Sequence, residues 1–104
     1  MRKGYDFLGL AQRAGKAQSG ETAAEAMIKK EKARLVILAR DASDKTKRHF
    51  TVMACSHKIK CIEAGEKMLL GMALGRSPRS VVVITDDNFA SRLHQLFGEE
   101  EESF

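Results

Sequence analysis

The sequence predicts an α/β/α sandwich, a sheet with helices packed on both faces. Three observations predict it. Apolar residues recur at helical spacing in five segments, short apolar runs such as Leu35 to Ala39 and Val81 to Ile84 have strand length, and the two kinds of segment alternate almost strictly along the chain. Connections between any parallel strands of such a sheet are expected to be right-handed crossovers. The 104 residues suit one domain with a single core.

Each element has its own justification. Phe7, Leu10, Ala11 and Ala14 repeat at i, i+3, i+4 and i+7, which predicts a first helix with one buried stripe, ended by Gly15. Lys16 to Gln18 is short enough to be an edge strand. Gly20 opens a second helix with Ala24, Met27 and Ile28 inward and Thr22, Glu25 and Lys29 outward; Lys29, Lys30 and Lys32 suit its negative end. Leu35 to Ala39 is apolar throughout, as in a central strand covered on both faces. Ser43 supplies a capping oxygen for a third helix, whose buried face is Thr46, Phe50, Met53 and Ala54. Ile59 to Ile62 reads as the third strand, Glu66 to Leu74 as the fourth helix and Val81 to Ile84 as the fourth strand. Asp86 and Asp87 cap a fifth helix marked by Phe89, Leu93, Leu96 and Phe97. Gly71-x-x-x-Gly75 lets the fourth helix pack closely and then stop. We expect one domain over residues 1–98 and a flexible acidic tail over 99–104, where Glu99 to Glu102 precede Ser103 and Phe104.

Composition narrows the class. No apolar run approaches the roughly 20 residues that span a bilayer, and the start Met1-Arg2-Lys3-Gly4-Tyr5-Asp6 lacks the apolar core of a signal peptide, so a cytoplasmic protein without membrane contact is expected. Cys55 and Cys61 are too few for a disulfide framework. With His57 they form C-x-H-x3-C, but structural zinc takes four ligands, and His49 and His94 sit in separate helices. Packed thiols and no metal are expected.

Charge divides the chain. Residues 1 to 60 carry 14 Lys or Arg against 6 Asp or Glu, a balance of +8; residues 61 to 104 carry 4 against 8, a balance of −4. A basic half is an electrostatic footprint for a polyanion, and equally a common solvated surface. The third helix has an especially basic first half, Lys45, Lys47, Arg48 and His49. Cations there oppose the helix dipole, so either a bound anion or the neighbouring Asp41 and Asp44 compensates. Ligands of open α/β sheets gather at one end of the strands. Three segments are candidates: Gln18 to Thr22, Arg40 to Ser43, and Gly75 to Ser80.

Four motifs in order add a resemblance: F-L-G-L-A-x-R-A-G-K at residues 7 to 16, S-G-E-T at 19 to 22, A-R-L-V-I-L-A-R-D-A-S-D-K-T-K at 33 to 47, and L-G-x-x-x-G-R-S-x-R-x-V-V-V-I-T-D at 70 to 86. Together they resemble the bacterial YlxQ-type proteins, and through them the kink-turn-binding ribosomal protein superfamily that includes ribosomal proteins L seven-Ae and L thirty-e. The match covers nearly the whole chain except the acidic tail. It implies a mixed four-stranded sheet and non-catalytic binding of structured RNA, typically a sharply bent internal loop, in a ribosome-associated or ribonucleoprotein setting.

The resemblance also implies where RNA would sit. Its first contact is the start of the second helix, here Ser19, Gly20, Glu21 and Thr22. Gly20 would let RNA backbone approach, exposed amides would donate to oxygen acceptors, and Glu21 would accept from base N–H donors. The same trio also fits a plain helix start. Its second contact is the loop before the last strand, here Arg76, Ser77, Pro78, Arg79 and Ser80, with the two arginines for phosphates, stacking or guanine edges and Pro78 limiting the conformations. Arg40, beside Asp41, would screen converging phosphates. The chain departs from the family pattern at Ala24 and Glu25, where many kink-turn binders carry a cation, and at Gly20, often Asn or Lys. Lys29 or the basic start of the third helix would then supply charge, or the target is another bent RNA.

Other classes have less behind them. The sequence has no Walker G-x-x-x-x-G-K-[ST], no G-x-G-x-x-G after a strand and no compelling catalytic triad or carboxylate pair, so no enzyme and no cofactor are expected. Asp86-Asp87-Asn88 reads as a helix cap. A protein-interaction adaptor of the translation or transcription machinery is the alternative; it would need an exposed apolar patch, whereas the inferred core uses nearly all the apolar residues. The expectation is a monomeric, cytoplasmic RNA binder.

Overall fold

A computed structural model of the chain describes residues 2–102. The order is α1 (Arg2–Arg13), β1 (Ala17–Ser19), α2 (Glu21–Lys29), β2 (Leu35–Leu38), α3 (Asp44–Ser56), β3 (Lys60–Glu63), α4 (Lys67–Leu74), β4 (Val81–Ile84) and α5 (Asp87–Glu102). The strands form one mixed sheet in the order β1-β4-β2-β3. β4 runs antiparallel to β1 and β2, with Ser19 opposite Val82 and Leu38 opposite Val81. β2 and β3 run parallel, joined by the crossover through α3.

The two central strands are buried along their whole length, and their alternate residues serve opposite faces. Leu35, Ile37, Val82 and Ile84 pack with Leu8 of α1, Leu70 and Leu74 of α4, and Leu93 and Phe97 of α5. Val36, Leu38, Val81 and Val83 pack with Ala24 and Ile28 of α2 and with Phe50 and Ala54 of α3. The expected three-layer α/β/α sandwich is therefore the fold, with three helices on one face and two on the other.

Local chemistry sets the boundaries. Gly15 takes φ 74 after α1, and the amides of Gly15 and Lys16 return to the carbonyls of Gln12 and Ala11 at 3.0 and 2.9 Å, the bonding pattern of a Schellman stop. Ser43 Oγ accepts the Thr46 amide at 3.1 Å and caps α3, while Asp86 Oδ2 accepts the Phe89 amide at 3.0 Å at the start of α5. Gly71 is buried where a Cβ would collide with the Ser77 carbonyl, and Gly75 ends α4 at φ 68. Both expectations for the Gly71-x-x-x-Gly75 pair hold.

Several expectations are corrected. The buried stripe of α1 is Gly4, Leu8 and Ala11; Leu10 and Ala14 are exposed and Phe7 is half-buried. Gly4 and Gly9 cause the rotation, because the missing side chains admit the Phe97 ring and the Ala73 carbonyl. Cys55 is exposed rather than packed, and Cys61 is partly buried on the edge strand β3. Apolar residues are also less fully used than expected: Leu10, Val52, Met68, Leu69 and Met72 are exposed. The division into a domain over 1–98 and a flexible acidic tail over 99–104 is not among these corrections and stays an expectation: α5 is described through Glu102, and Ser103 and Phe104 lie outside the described residues.

Candidate functional site

The three candidate segments meet at one end of the sheet. Ser19 ends β1, Leu38 ends β2 and Val81 begins β4, and cross-strand bonds place them side by side: the Gly20 amide donates to the Val81 carbonyl at 3.0 Å and the Ala39 amide to the Ser80 carbonyl at 2.9 Å. The meeting of residues 18–22, 40–43 and 75–80 is thus a consequence of strand order β1-β4-β2.

Gly20 sits at the N-cap of α2 with φ 94 and ψ 155, a region that L side chains rarely occupy. A Cβ there would meet nothing within 4 Å. Backbone conformation, rather than crowding inside the protein, demands this glycine, and it leaves the start of α2 open. Glu21 and Thr22 follow on the exposed first turn. Glu21 Oε2 accepts a long hydrogen bond, 3.4 Å, from Thr46 Oγ1 of α3, which steers the carboxylate to the α2–α3 side.

Arg79 is a clasp. Its Nε donates to Ser19 Oγ at 3.0 Å and one terminal nitrogen donates to Ser77 Oγ at 2.8 Å, and the residue is half-buried. Its guanidinium thereby holds the loop before β4 to the end of β1. Sequence reasoning offered Arg79 as a ligand-facing cation and missed this bond, since a contact spanning sixty residues leaves no local signal. Arg76, Ser77 and Pro78 form the exposed crest of the loop, while Ser80 is half-buried beside β4.

Asp41 is also committed internally. Its Oδ1 accepts the Lys67 amide at 2.9 Å, giving α4 a cap from outside its own segment. Arg40 is exposed next to it, and its amide donates to the Gly65 carbonyl at 2.8 Å. Lys29 is exposed at the far end of α2, about 13 Å along the helix axis from Gly20 at 1.5 Å per residue, so the fold does not bring it to the cluster. Ala24 is fully buried; a cation at that position would have to leave the core.

Beside Glu21 the surface drops into an open groove of about 620 Å³ between α2 and α3, lined by Glu21, Lys45, Thr46, Arg48, His49 and Val52. His49 Nε2 lies 2.6 Å from Glu25 Oε1 and bridges the two helices. Lys47, at 3.2 Å from Glu63, turns instead toward β3. The candidate zinc residues do not converge: His57 follows α3, whereas His94 lies on α5 beyond the sheet, and no metal-holding group of His, Cys, Asp or Glu occurs among the described residues. None of the described helices is long and apolar enough to cross a membrane.

A family model described as the ribosomal protein L7Ae/L30e/S12e/Gadd45 family matches residues 2–94. The chain belongs to that family. Among relatives of this L7Ae-family chain is the RNA-binding protein YlxQ of Bacillus subtilis (strain 168), 36% identical over 92 residues, which span 88% of this chain and 92% of the relative. A solved structure of a protein with unknown function from Bacillus halodurans C superposes with a TM-score of 0.88 at 31% identity, over 92% of this chain and 97% of the other. The 15.5kD RNA binding protein of Giardia lamblia shares the fold, with a TM-score of 0.75 at 24% identity over 93% of this chain and 83% of that one. The YlxQ-type resemblance read from the four motifs is thus borne out over most of the chain.

Proposed function

We propose that this protein is a non-catalytic binder of structured RNA, and that its preferred target is a kink-turn or a similarly bent internal loop in a ribosome-associated or other ribonucleoprotein particle. Membership of the family and the name of the B. subtilis relative support RNA as the ligand class. The observation that carries the site is the clasp of Arg79 on Ser19, because it ties the exposed loop before β4 to the end of β1, next to the open glycine-led start of α2. A bend presents both unstacked base edges and converging phosphates to such a pair of segments. Glu21 accepts from base N–H donors; Arg76 and Arg40 face phosphates; the Pro78 crest meets an extruded base. The protein acts as a cytoplasmic monomer, with the α/β/α body as its RNA-binding unit.

Glu21→Ala tests this reading by fluorescence anisotropy. It weakens binding to a kink-turn RNA more than to a straight duplex, since a carboxylate contributes through base edges and repels phosphates. Equal losses on both RNAs would refute the role of Glu21.

A second reading has one specific observation in its favour. Met68, Leu69 and Met72 are exposed on α4, and Leu69 and Met72 line an open groove against α1 with Tyr5, Asp6 and Arg13. An adaptor of the translation or transcription machinery would use such a face. It lies on the opposite helical layer from α2, so both readings can hold for one ribosome-associated factor.

A further inference from the structure

We propose that the groove between α2 and α3 is a second RNA subsite. It holds the strand that leaves the bend, with Lys45 and Arg48 on its phosphates and Val52 against an unstacked base. The inference rests on the RNA-binding reading of Glu21 and extends it to residues outside the helix start and the loop.

The sequence of α3 explains the groove. Thr46, Phe50 and Ala54 face the core, which leaves Lys45, Arg48, His49 and Val52 at i, i+3, i+4 and i+7 as a second stripe along the groove. The core has no use for this stripe. Val52 is 60% exposed, an apolar side chain set among cations. Lys45 and Arg48 occupy the first half of the helix, where the dipole disfavours positive charge. Lys47 is balanced by Glu63 and the His49 ring is engaged by Glu25, but Lys45 and Arg48 form no ion pair among the described residues.

A polyanion resolves that arrangement. Its phosphates offset the two unpaired cations, and an unstacked base covers the valine. The occupant is continuous with the candidate site, because Glu21 is both the first residue of α2 and a wall of the groove. Of the two α2 carboxylates on this side, Glu25 is engaged by His49, and Glu21, at the groove wall, accepts from Thr46 Oγ1 and is assigned to base N–H donors rather than to phosphate. A volume of about 620 Å³ lies in the range of small-molecule sites. Strand from a bent RNA fits these terms better than an acidic peptide, because each of its nucleotides carries a phosphate and a planar base together, and because the groove is continuous with Glu21.

The test compares Lys45→Ala/Arg48→Ala with Lys30→Ala/Lys32→Ala, which removes two exposed cations at the far end of α2. Anisotropy is measured on a kink-turn RNA across a salt series, with the bend followed by energy transfer and folding checked by thermal unfolding. The groove variant is expected to lose about tenfold in affinity near 0.15 M salt and to reduce the salt slope by about 1.4, as two single-strand phosphate contacts require. The bend persists, and the control variant loses less than about twofold. Equal losses from both pairs would reduce the effect to a general field and overturn the subsite. Unchanged affinity in the groove variant, with Glu21→Ala still impaired, would overturn the subsite and leave RNA binding standing. A wild-type protein with no preference for the bent RNA would remove both.

Discussion

Arg79 Nε donates to Ser19 Oγ at 3.0 Å, and this bond ties the loop before β4 to the end of β1. Backbone bonds from the Arg76 amide to Gly71 and from the Arg79 amide to Lys67 hold the loop to α4, and the Arg79 side chain adds the tie to β1. Ser19→Ala removes the acceptor and is expected to cost about 0.5–1.5 kcal/mol in urea unfolding. It weakens RNA binding without changing the salt slope. Arg79→Ala weakens binding to kink-turn and straight duplex alike and flattens the slope as well, since it deletes a cation at the site. An unchanged slope in Arg79→Ala would confine that residue to holding the loop.

Gly20→Ala isolates conformation from crowding. The new Cβ meets open space, yet φ 94 with ψ 155 is essentially reserved for glycine. A loss of about 1–3 kcal/mol is expected by denaturant titration, accompanied by weaker RNA binding as the first turn of α2 re-orients. Wild-type stability in this variant would show that the turn relaxes without cost.

Gly71→Ala perturbs the same loop from beneath. Its Cβ collides with the Ser77 carbonyl, which is backbone and cannot rotate away. Overpacking of about 1–3 kcal/mol is expected. Binding to RNA falls although residue 71 is buried behind the loop. A variant with reduced stability and unimpaired binding would show that the loop crest does not contribute.

The two cysteines should differ in reactivity. Burial pushes the Cys61 thiol above its ordinary pKa, with Glu63 adding to the rise and a hydrogen bond to Thr51 opposing it; Cys55 is exposed. Iodoacetamide under native conditions is expected to modify Cys55 first, as peptide mass mapping would show. The sign of the stability effect follows: the unfolded chain ionises this thiol at lower pH than the folded one. The contribution of Cys61 is therefore present below the ordinary thiol pKa and declines as pH rises toward its folded value.

What was legible in the sequence follows from the range of the interactions involved. Capping by Ser43 and Asp86 acts within three residues, and both caps were readable. The runs 35–38 and 81–84 announce burial on both faces by having no polar position. The stripe of α1 was misplaced because the apolar pattern gives no weight to glycine, while Gly4 and Gly9 are where neighbours come closest. At the site, Gly20 and Glu21 could be singled out from local chemistry and resemblance. The engagements of Arg79 with Ser19, Asp41 with Lys67 and Glu25 with His49 join residues 24 to 60 apart and needed the fold.

The most direct measurement is binding of the wild-type protein to a kink-turn RNA and to a matched straight duplex at two salt concentrations, with the bend followed by energy transfer. The account predicts tight binding selective for the kink-turn RNA, a bend induced or stabilised by the protein, and a preference that survives the higher salt. Equal, weak binding to both RNAs that disappears with salt would contradict it.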